Sequence, residues 1–147
     1  MAAIARATGG LSSMMSRGEI IIGIGCDRST SQRTLEVAID RALALAGRRR
    51  DAVAALATID GKRDEPALLA LSAQCGWQIC FYSAAQLAEV KVPNPSETVL
   101  RHMGTPAVSE AAAMLAAGGN GDLILEKQKY RGDDHRNVTV SIVGLGN

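Results

Sequence analysis

Short apolar runs alternate with helix-forming segments along residues 19–89, and this alternation restricts the fold more than any other feature. The first run, EIIIGIGC, is rich in isoleucine, and the three runs occupy residues 19–26, 53–59 and 78–82. Each run is followed by a segment with helix start signals or with apolar residues at helical spacing. Strands that alternate with helices form a largely parallel sheet covered by helices.

Two further apolar runs, at residues 123–127 and 138–143, flank a polar loop and predict an antiparallel hairpin. The predicted fold is therefore α/β, with three layers and a mixed, mostly parallel sheet of about five strands flanked by helices. The 147 residues fit one domain. We expect residues 1–18 to be a disordered leader and residues 19–147 to form a single α/β domain.

Glycine, proline and serine mark the expected helix ends. Pro66 stands at the first turn of the second helix, where its missing N–H costs nothing. Gly47 and Gly76 end the first two helices. The residues predicted as caps are the cluster Ser29-Thr30-Ser31, then Ser83, Ser96 and Ser109, the last of which opens an alanine-rich helix to Ala117.

Composition excludes several classes of protein. A net charge of +1 and only four aromatic residues argue against a nucleic-acid binder. No apolar run approaches the ~20 residues that cross a bilayer, so no membrane partner is expected. The three cysteines are an odd count at unrelated spacings, which argues against a disulfide framework or a zinc site. We therefore expect a reduced, cytoplasmic protein without a metal or a cofactor.

Ligands of parallel α/β sheets bind at the carboxyl ends of the strands. The first such segment contains Gly25, Cys26 and Arg28, and its backbone N–H groups and helix start are able to hold an anion. Its plainer interpretation is a tight turn with serine caps. Cys26 ends the strand and, taken alone, is typical of a small buried residue.

The segment after the second strand packs five charges into residues 58–65. Asp60 or Glu65 is a candidate general base, and Lys62 is able to pair with a substrate carboxylate, with Thr58 beside them. A solvated loop with acids at a helix start explains the same residues equally well.

A third segment, residues 92–97, is stiffened by two prolines and presents Asn94, Ser96 and Glu97. Its alternative is a plain loop that leads into a helix. Lys127 and Lys129 share one face of the fourth strand, because side chains alternate with period two. They are able to clamp carboxylates, or they are edge lysines that oppose aggregation.

Several of these segments, taken in order, resemble the cobalamin-biosynthesis family named CobE, which is equivalent to the C-terminal domain of CbiG. The resemblance covers residues 20–143, and Val108-Ser109-Glu110-Ala111-Ala112 supports it. The segments that carry it are Gly23-Ile24-Gly25-Cys26, Ala57-Thr58-Ile59-Asp60 with Lys62 and Glu65-Pro66, Val92-Pro93-Asn94-Pro95-Ser96-Glu97, and Lys127-Gln128-Lys129 followed by Val138-Thr139-Val140.

The resemblance implies an α/β domain in the corrin branch of vitamin B12 synthesis. CbiG itself is a longer protein that opens a precorrin lactone and releases acetaldehyde, so this chain is expected to be the stand-alone form. The family often has a basic residue after the motif cysteine and then Arg-Gly, whereas this chain has Asp27-Arg28-Ser29. Asp27 would repel a carboxylate at this loop.

The expected ligand is a precorrin or hydrogenobyrinate-like tetrapyrrole, which needs cations and N–H groups around an apolar floor. The candidate ligand-binding residues are Gly25, Cys26, Arg28, Thr58, Lys62, Asn94, Ser96, Lys127 and Lys129. One alternative is an enzyme that opens a precorrin lactone with Asp60, Glu65 or Glu97 as the base. Another is a module that docks onto a pathway methyltransferase through the alanine-rich helix.

Overall fold

The computed structural model describes residues 19–90, 108–118 and 121–145. Within these residues one five-stranded sheet is covered by helices on both faces. The strands are β1 (Ile20–Cys26), β2 (Val53–Ile59), β3 (Gln78–Tyr82), β4 (Asp122–Arg131) and β5 (Asn137–Gly144). The helices are α1 (Gln32–Ala46), α2 (Pro66–Cys75), α3 (Ala84–Ala88) and α4 (Val108–Ala116).

The strand order across the sheet is β3-β2-β1-β5-β4. β1 pairs in parallel with β2, and β2 pairs in parallel with β3. β5 is antiparallel to β1, and β4 is antiparallel to β5. The predicted α/β class with a mixed five-stranded sheet is confirmed, and β4 extends four residues beyond the predicted run, to Arg131.

Two separate apolar cores lie on the two faces of the sheet. Ile20, Ile22 and Ile24 face α1 and α2, where they pack with Leu35 and Leu68. On the other face Ile21 and other alternate side chains of the strands pack against α3 and α4. Because successive strand residues point to opposite faces, an unbroken isoleucine run supplies both cores.

The predicted helix ends are confirmed for the first three helices. The Ser31 side chain accepts the Thr34 N–H at the start of α1, and Gly47 closes that helix at a φ of 68°. Pro66 lies in the first turn of α2, and Gly76 closes it at a φ of 71°. Ser83 forms a capping box with Gln86 at the start of α3.

The prediction that Ser109 caps the alanine-rich helix is wrong. α4 begins at Val108, so Ser109 lies inside it, and its hydroxyl hydrogen-bonds the Ser141 hydroxyl at 2.7 Å. Three alanines of α4 are fully buried against the sheet: Ala111, Ala112 and Ala113. These alanines therefore serve close packing on the sheet and offer no surface to a docking partner.

Two predicted segments lie outside the described residues: the leader at 1–18, and the loop that contains Asn94, Ser96 and Glu97. Along the described ranges, no helix combines the length and the apolar character needed to span a membrane. Residues 19–90, 108–118 and 121–145 also contain no group of three or more His, Cys, Asp or Glu side chains that could hold a metal ion.

Candidate functional site

The carboxyl ends of β1, β2 and β3 meet at one edge of the sheet, which we call the carboxyl edge. Residues 27–31 leave β1 there, and residues 60–65 leave β2. α1 and α2 begin directly after these loops. α4 also begins there, because a Cβ on Gly25 would lie 3.9 Å from the Cβ of Val108. α3 also begins here, just after β3, so all four helices of the described residues direct their positive ends toward this edge.

Arg28 joins the loop after β1 to the loop after β2. Its Nη1 donates to the Gly61 carbonyl at 2.7 Å and to Asp64 Oδ1 at 3.2 Å. Its Nη2 donates to Asp64 Oδ2 at 3.4 Å, and Glu65 Oε2 lies 3.8 Å from Nη1. The hydrogen bond and the positive charge of Arg28 lower the pKa of Asp64.

Glu65 binds the backbone of the loop after β1. Its side chain is only 2% exposed, and its Oε1 accepts the Ser29 N–H at 2.7 Å. Ser29 has a φ of 63°, a left-handed conformation that favours glycine. This buried carboxylate is bound to backbone, so its position suits a structural support better than a solvent-accessible general base.

The hairpin between β4 and β5 also binds the loop after β1. Asp134 Oδ2 accepts the Ser31 N–H at 2.9 Å, and its Oδ1 accepts the Thr34 hydroxyl at 3.0 Å. Hydrogen bonds from the Ser31 and Arg136 backbone N–H groups, with one from the Thr34 hydroxyl, lower the pKa of Asp134 to about 2. Asp27, in turn, accepts the Asn137 N–H at 2.7 Å.

These contacts favour the plainer interpretation of residues 27–31, a tight turn, over an anion cradle. The N–H of Ser29 is bound by Glu65, and the N–H of Ser31 is bound by Asp134. Carboxylates of the protein therefore already accept the hydrogen bonds of both N–H groups. Asp27, which was expected to repel a ligand, is turned toward Asn137 instead.

Thr58 and Cys26 lie at the ends of neighbouring strands. The buried Thr58 hydroxyl donates to the Ile24 carbonyl at 2.6 Å, which ties β2 to β1. Burial raises the pKa of the Cys26 thiol, and the nearby positive charge of Lys62 opposes that rise. Cys26 is therefore a protonated, partly buried thiol beside a cation at neutral pH.

Asp60 is engaged by a neighbouring arginine. Its carboxylate lies 3.2 Å from Arg63 Nη2, and the Arg63 guanidinium stacks over the Phe81 ring at 4.9 Å. Of the two described candidate bases, Asp60 is the one that reaches solvent, since Glu65 is buried.

Lys127 and Lys129 have different surroundings. Lys129 is exposed and lies level with Gly25, because both residues pair with Thr139 of β5. Lys127 lies where the register of β4 shifts, and its N–H donates to Glu110 Oε2 of α4 at 2.8 Å. Its ammonium is 3.9 Å from Glu110 Oε1. Lys127 therefore holds β4 to α4, whereas Lys129 faces solvent.

Two of the candidate cations at the carboxyl edge have no acidic partner among the described residues. Among the described residues, no Asp or Glu lies within ion-pair distance of Lys62 or Lys129. Arg28 and Arg63 are both paired with carboxylates. Among the candidate cations of the described residues, Lys62 and Lys129 are therefore the two that can bind an external anion without first losing an acidic partner.

Glu110 and Asp134 were not recognised as important from the sequence. In the sequence, Glu110 is only part of the family resemblance, and Asp134 is one of several polar residues in the loop between β4 and β5. Their partners are remote in sequence, since Asp134 binds residues about a hundred positions away. No local spacing indicates such contacts.

Comparison with known proteins agrees with the fold and the motifs. The family model described as cobalamin synthesis G C-terminus matches residues 20–143. A cobalt-precorrin-5A hydrolase of Priestia megaterium is 38% identical over 123 residues, which is 84% of this chain and 31% of that protein. Protein CobE of a Sinorhizobium species is 36% identical over 110 residues, which is 74% of this chain and 71% of that protein.

A solved structure shares the fold. It is described as CobE, a protein from the cobalamin (vitamin B12) biosynthetic pathway, and is 35% identical with a TM-score of 0.75. The match covers 92% of this chain and 97% of that one. This chain therefore spans nearly all of the solved CobE structure but under a third of the hydrolase.

Proposed function

This chain belongs to the cobalamin synthesis G C-terminus family, and from that premise we propose that this CobE/CbiG-like cobalamin-biosynthesis protein binds a precorrin or hydrogenobyrinate-like intermediate. The tetrapyrrole is held at the carboxyl edge and passed to other enzymes of the pathway. Such a ligand is a flat macrocycle fringed with carboxylates, so it requires separated cations beside an apolar surface.

The observation that carries this proposal is the position of Lys62 and Lys129. They lie at the carboxyl edge, on the β2 side and the β4 side of β1, and neither forms an ion pair with a described residue. Gly25 lies between them, close to Val108 of α4. Two separated cations, one on each side of β1, suit the carboxylates on the rim of a macrocycle.

The proposed contacts follow from this arrangement. Lys62 and Lys129 bind peripheral carboxylates, Gly25 and Cys26 line the floor, and Arg28 contributes a third cation. Asn94 and Ser96, outside the described residues, are proposed as further contacts. Thr58 and Lys127 support the strands through their bonds to Ile24 and Glu110.

Titration with hydrogenobyrinate, followed by its absorbance, tests the proposal. We expect saturable binding in the micromolar range or tighter for the wild type, and at least about tenfold weaker binding for Lys62→Met and Lys129→Met, because each variant removes a charge-assisted contact. Arg48→Met is the matched control. It removes one exposed cation just past the C-terminus of α1, at the opposite end of the sheet.

Two results oppose the proposal. If the wild-type spectrum does not saturate, no tetrapyrrole of this kind is bound. If Arg48→Met weakens binding as much as Lys62→Met, the attraction is a general effect of charge and is not directed to the carboxyl edge.

The second candidate function is hydrolysis of a precorrin lactone, which the similarity to the Priestia hydrolase favours. Asp60 is then the proposed base in the described residues, and Glu97 outside them is a further candidate. Release of acetaldehyde from a lactone-bearing precorrin, and its loss in Asp60→Asn, would support this function. Wild-type protein that yields no product above buffer would exclude it for the chain alone.

A further inference from the structure

We propose that Asp64 holds a carboxylate-binding position on Arg28 which an incoming ligand carboxylate takes over. The inference rests on the proposed binding of a carboxylated ligand. In the free protein Arg28 is paired with Asp64, and it becomes available to the ligand only when a ligand carboxylate displaces Asp64. Asp64 is thus an internal competitor of the ligand.

The fork of Arg28 meets Asp64 in the geometry by which arginine recognises carboxylates. Nη1 and Nη2 donate to the two oxygens of Asp64 at 3.2 and 3.4 Å. Parallel N–H···O bonds of this kind serve an internal and an external carboxylate equally well. A carboxylate of the ligand can therefore replace Asp64 without any change in the position of Arg28.

The two acids around Arg28 differ strongly in exposure. The Asp64 side chain is 75% exposed, whereas the Glu65 side chain is 2% exposed and is bound to the Ser29 N–H. The Gly61 carbonyl adds a bond of 2.7 Å to Nη1. Glu65 and Gly61 therefore keep Arg28 in place, and Asp64 is the partner that can leave.

The ion pair between Arg28 and Asp64 is weak enough to be exchanged. Both side chains are well exposed, at 60% and 75%, and exposed ion pairs contribute little to stability because water and salt screen them. Replacement of Asp64 by a ligand carboxylate consequently keeps the same number of bonds to Arg28. The competition lowers the affinity of the wild type below that of a protein without Asp64.

The test compares Asp64→Asn with the wild type and with two further variants. Arg28→Met removes the cation. Asp51→Asn removes a carboxylate of matched exposure, 76%, which lies 3.9 Å from the Arg49 guanidinium at the opposite end of the sheet. The probes are hydrogenobyrinate, followed by absorbance, and benzene-1,3,5-tricarboxylate, followed by the backbone amide NMR signals of residues 27–31, which every variant retains.

We expect Asp64→Asn to bind both probes about two- to fivefold more tightly than the wild type, which is the range that an exposed ion pair supplies. Asp51→Asn should leave the affinity unchanged. The gain should vanish when Asp64→Asn is combined with Arg28→Met.

The outcomes separate this inference from the proposed function. If Asp64→Asn binds the tricarboxylate no more tightly than the wild type, or if neither probe binds, the exchange is refuted. If Asp51→Asn gains as much as Asp64→Asn, the effect is one of net charge and the exchange is again refuted. If the tricarboxylate reaches Arg28 more tightly in Asp64→Asn but hydrogenobyrinate binds to no variant, the exchange is upheld and tetrapyrrole binding is refuted.

Discussion

The backbone carbonyl of Ser109 in α4 lies directly over Gly23 of β1, where any side chain would collide with it. The helix can approach the sheet this closely only because Gly23 has no Cβ. We predict that Gly23→Ala lowers the free energy of unfolding by about 3 kcal/mol or more, because backbone cannot move aside as a flexible side chain can. Urea denaturation followed by circular dichroism measures the change.

Gly25→Ala is the matched control for Gly23→Ala. A Cβ on Gly25 would meet its nearest neighbours at 3.9 and 4.0 Å, which are ordinary contacts. We expect this variant to be as stable as the wild type or more stable by about 0.5 kcal/mol, since alanine loses less entropy than glycine on folding. Equal losses in the two variants would show that the close approach of α4 is not the cause.

Ser29 adopts a left-handed conformation at a φ of 63°. Glycine adopts this conformation without strain. We predict that Ser29→Gly is more stable than Ser29→Ala by about 1 kcal/mol, because alanine keeps the steric penalty and glycine removes it. Thermal or urea unfolding of both variants decides the matter, and equal stabilities would contradict the prediction.

Glu110 is fully buried and its counter-ion is Lys127, whose side chain is 18% exposed. We predict that Lys127→Met lowers the free energy of unfolding by about 3 kcal/mol, because it leaves a buried carboxylate without its cation. Glu110→Gln should cost about 1 kcal/mol, since its amide oxygen still accepts the Lys127 N–H. The double variant should cost clearly less than the sum of the two, and additive losses would show that the groups are not coupled.

Asp134 makes stability depend on pH in acid solution. Its pKa is lowered to about 2 in the folded protein, whereas an unfolded aspartate titrates near about 3.9. A lowered folded-state pKa stabilises the protein above the unfolded value, and that contribution disappears as the pH falls from about 4 to about 2. Asp134→Asn should therefore be less stable than the wild type at pH 7 and equally stable near pH 2.

Urea unfolding of both proteins across this pH range checks the prediction. Asp133→Asn is the control, because Asp133 is the exposed neighbour in the same turn. A difference between the wild type and Asp134→Asn that is as large at pH 2 as at pH 7 would contradict the assignment.

Local sequence signals predicted most of the fold. The bounds of β2 and β3 and the glycine ends of α1 and α2 agree with the structure, because each depends on residues close together along the chain. The far end of β4 was missed because this edge strand ends in polar residues, without the apolar run of a buried strand. Local spacing predicts a cap at Ser109 and does not indicate its true partner, Ser141, because the two residues are 32 positions apart.

The candidate site was only partly predictable, for the same reason. Parallel strands place residues 27–31 and 60–65 at one edge, and that placement follows from the order of the elements alone. The sequence does not indicate which charges are already paired. Arg28 and Asp64 are 36 positions apart, so their ion pair becomes visible only when the two loops are seen side by side.

Glu65, Asp134 and Asp27 bind three separate stretches of backbone into a single framework around the end of β1. Conformational entropy at this rim is therefore lost during folding and need not be lost again when a molecule arrives. If a ligand binds here as proposed, the loops after β1 and β2 need little further ordering, and this preorganisation favours affinity.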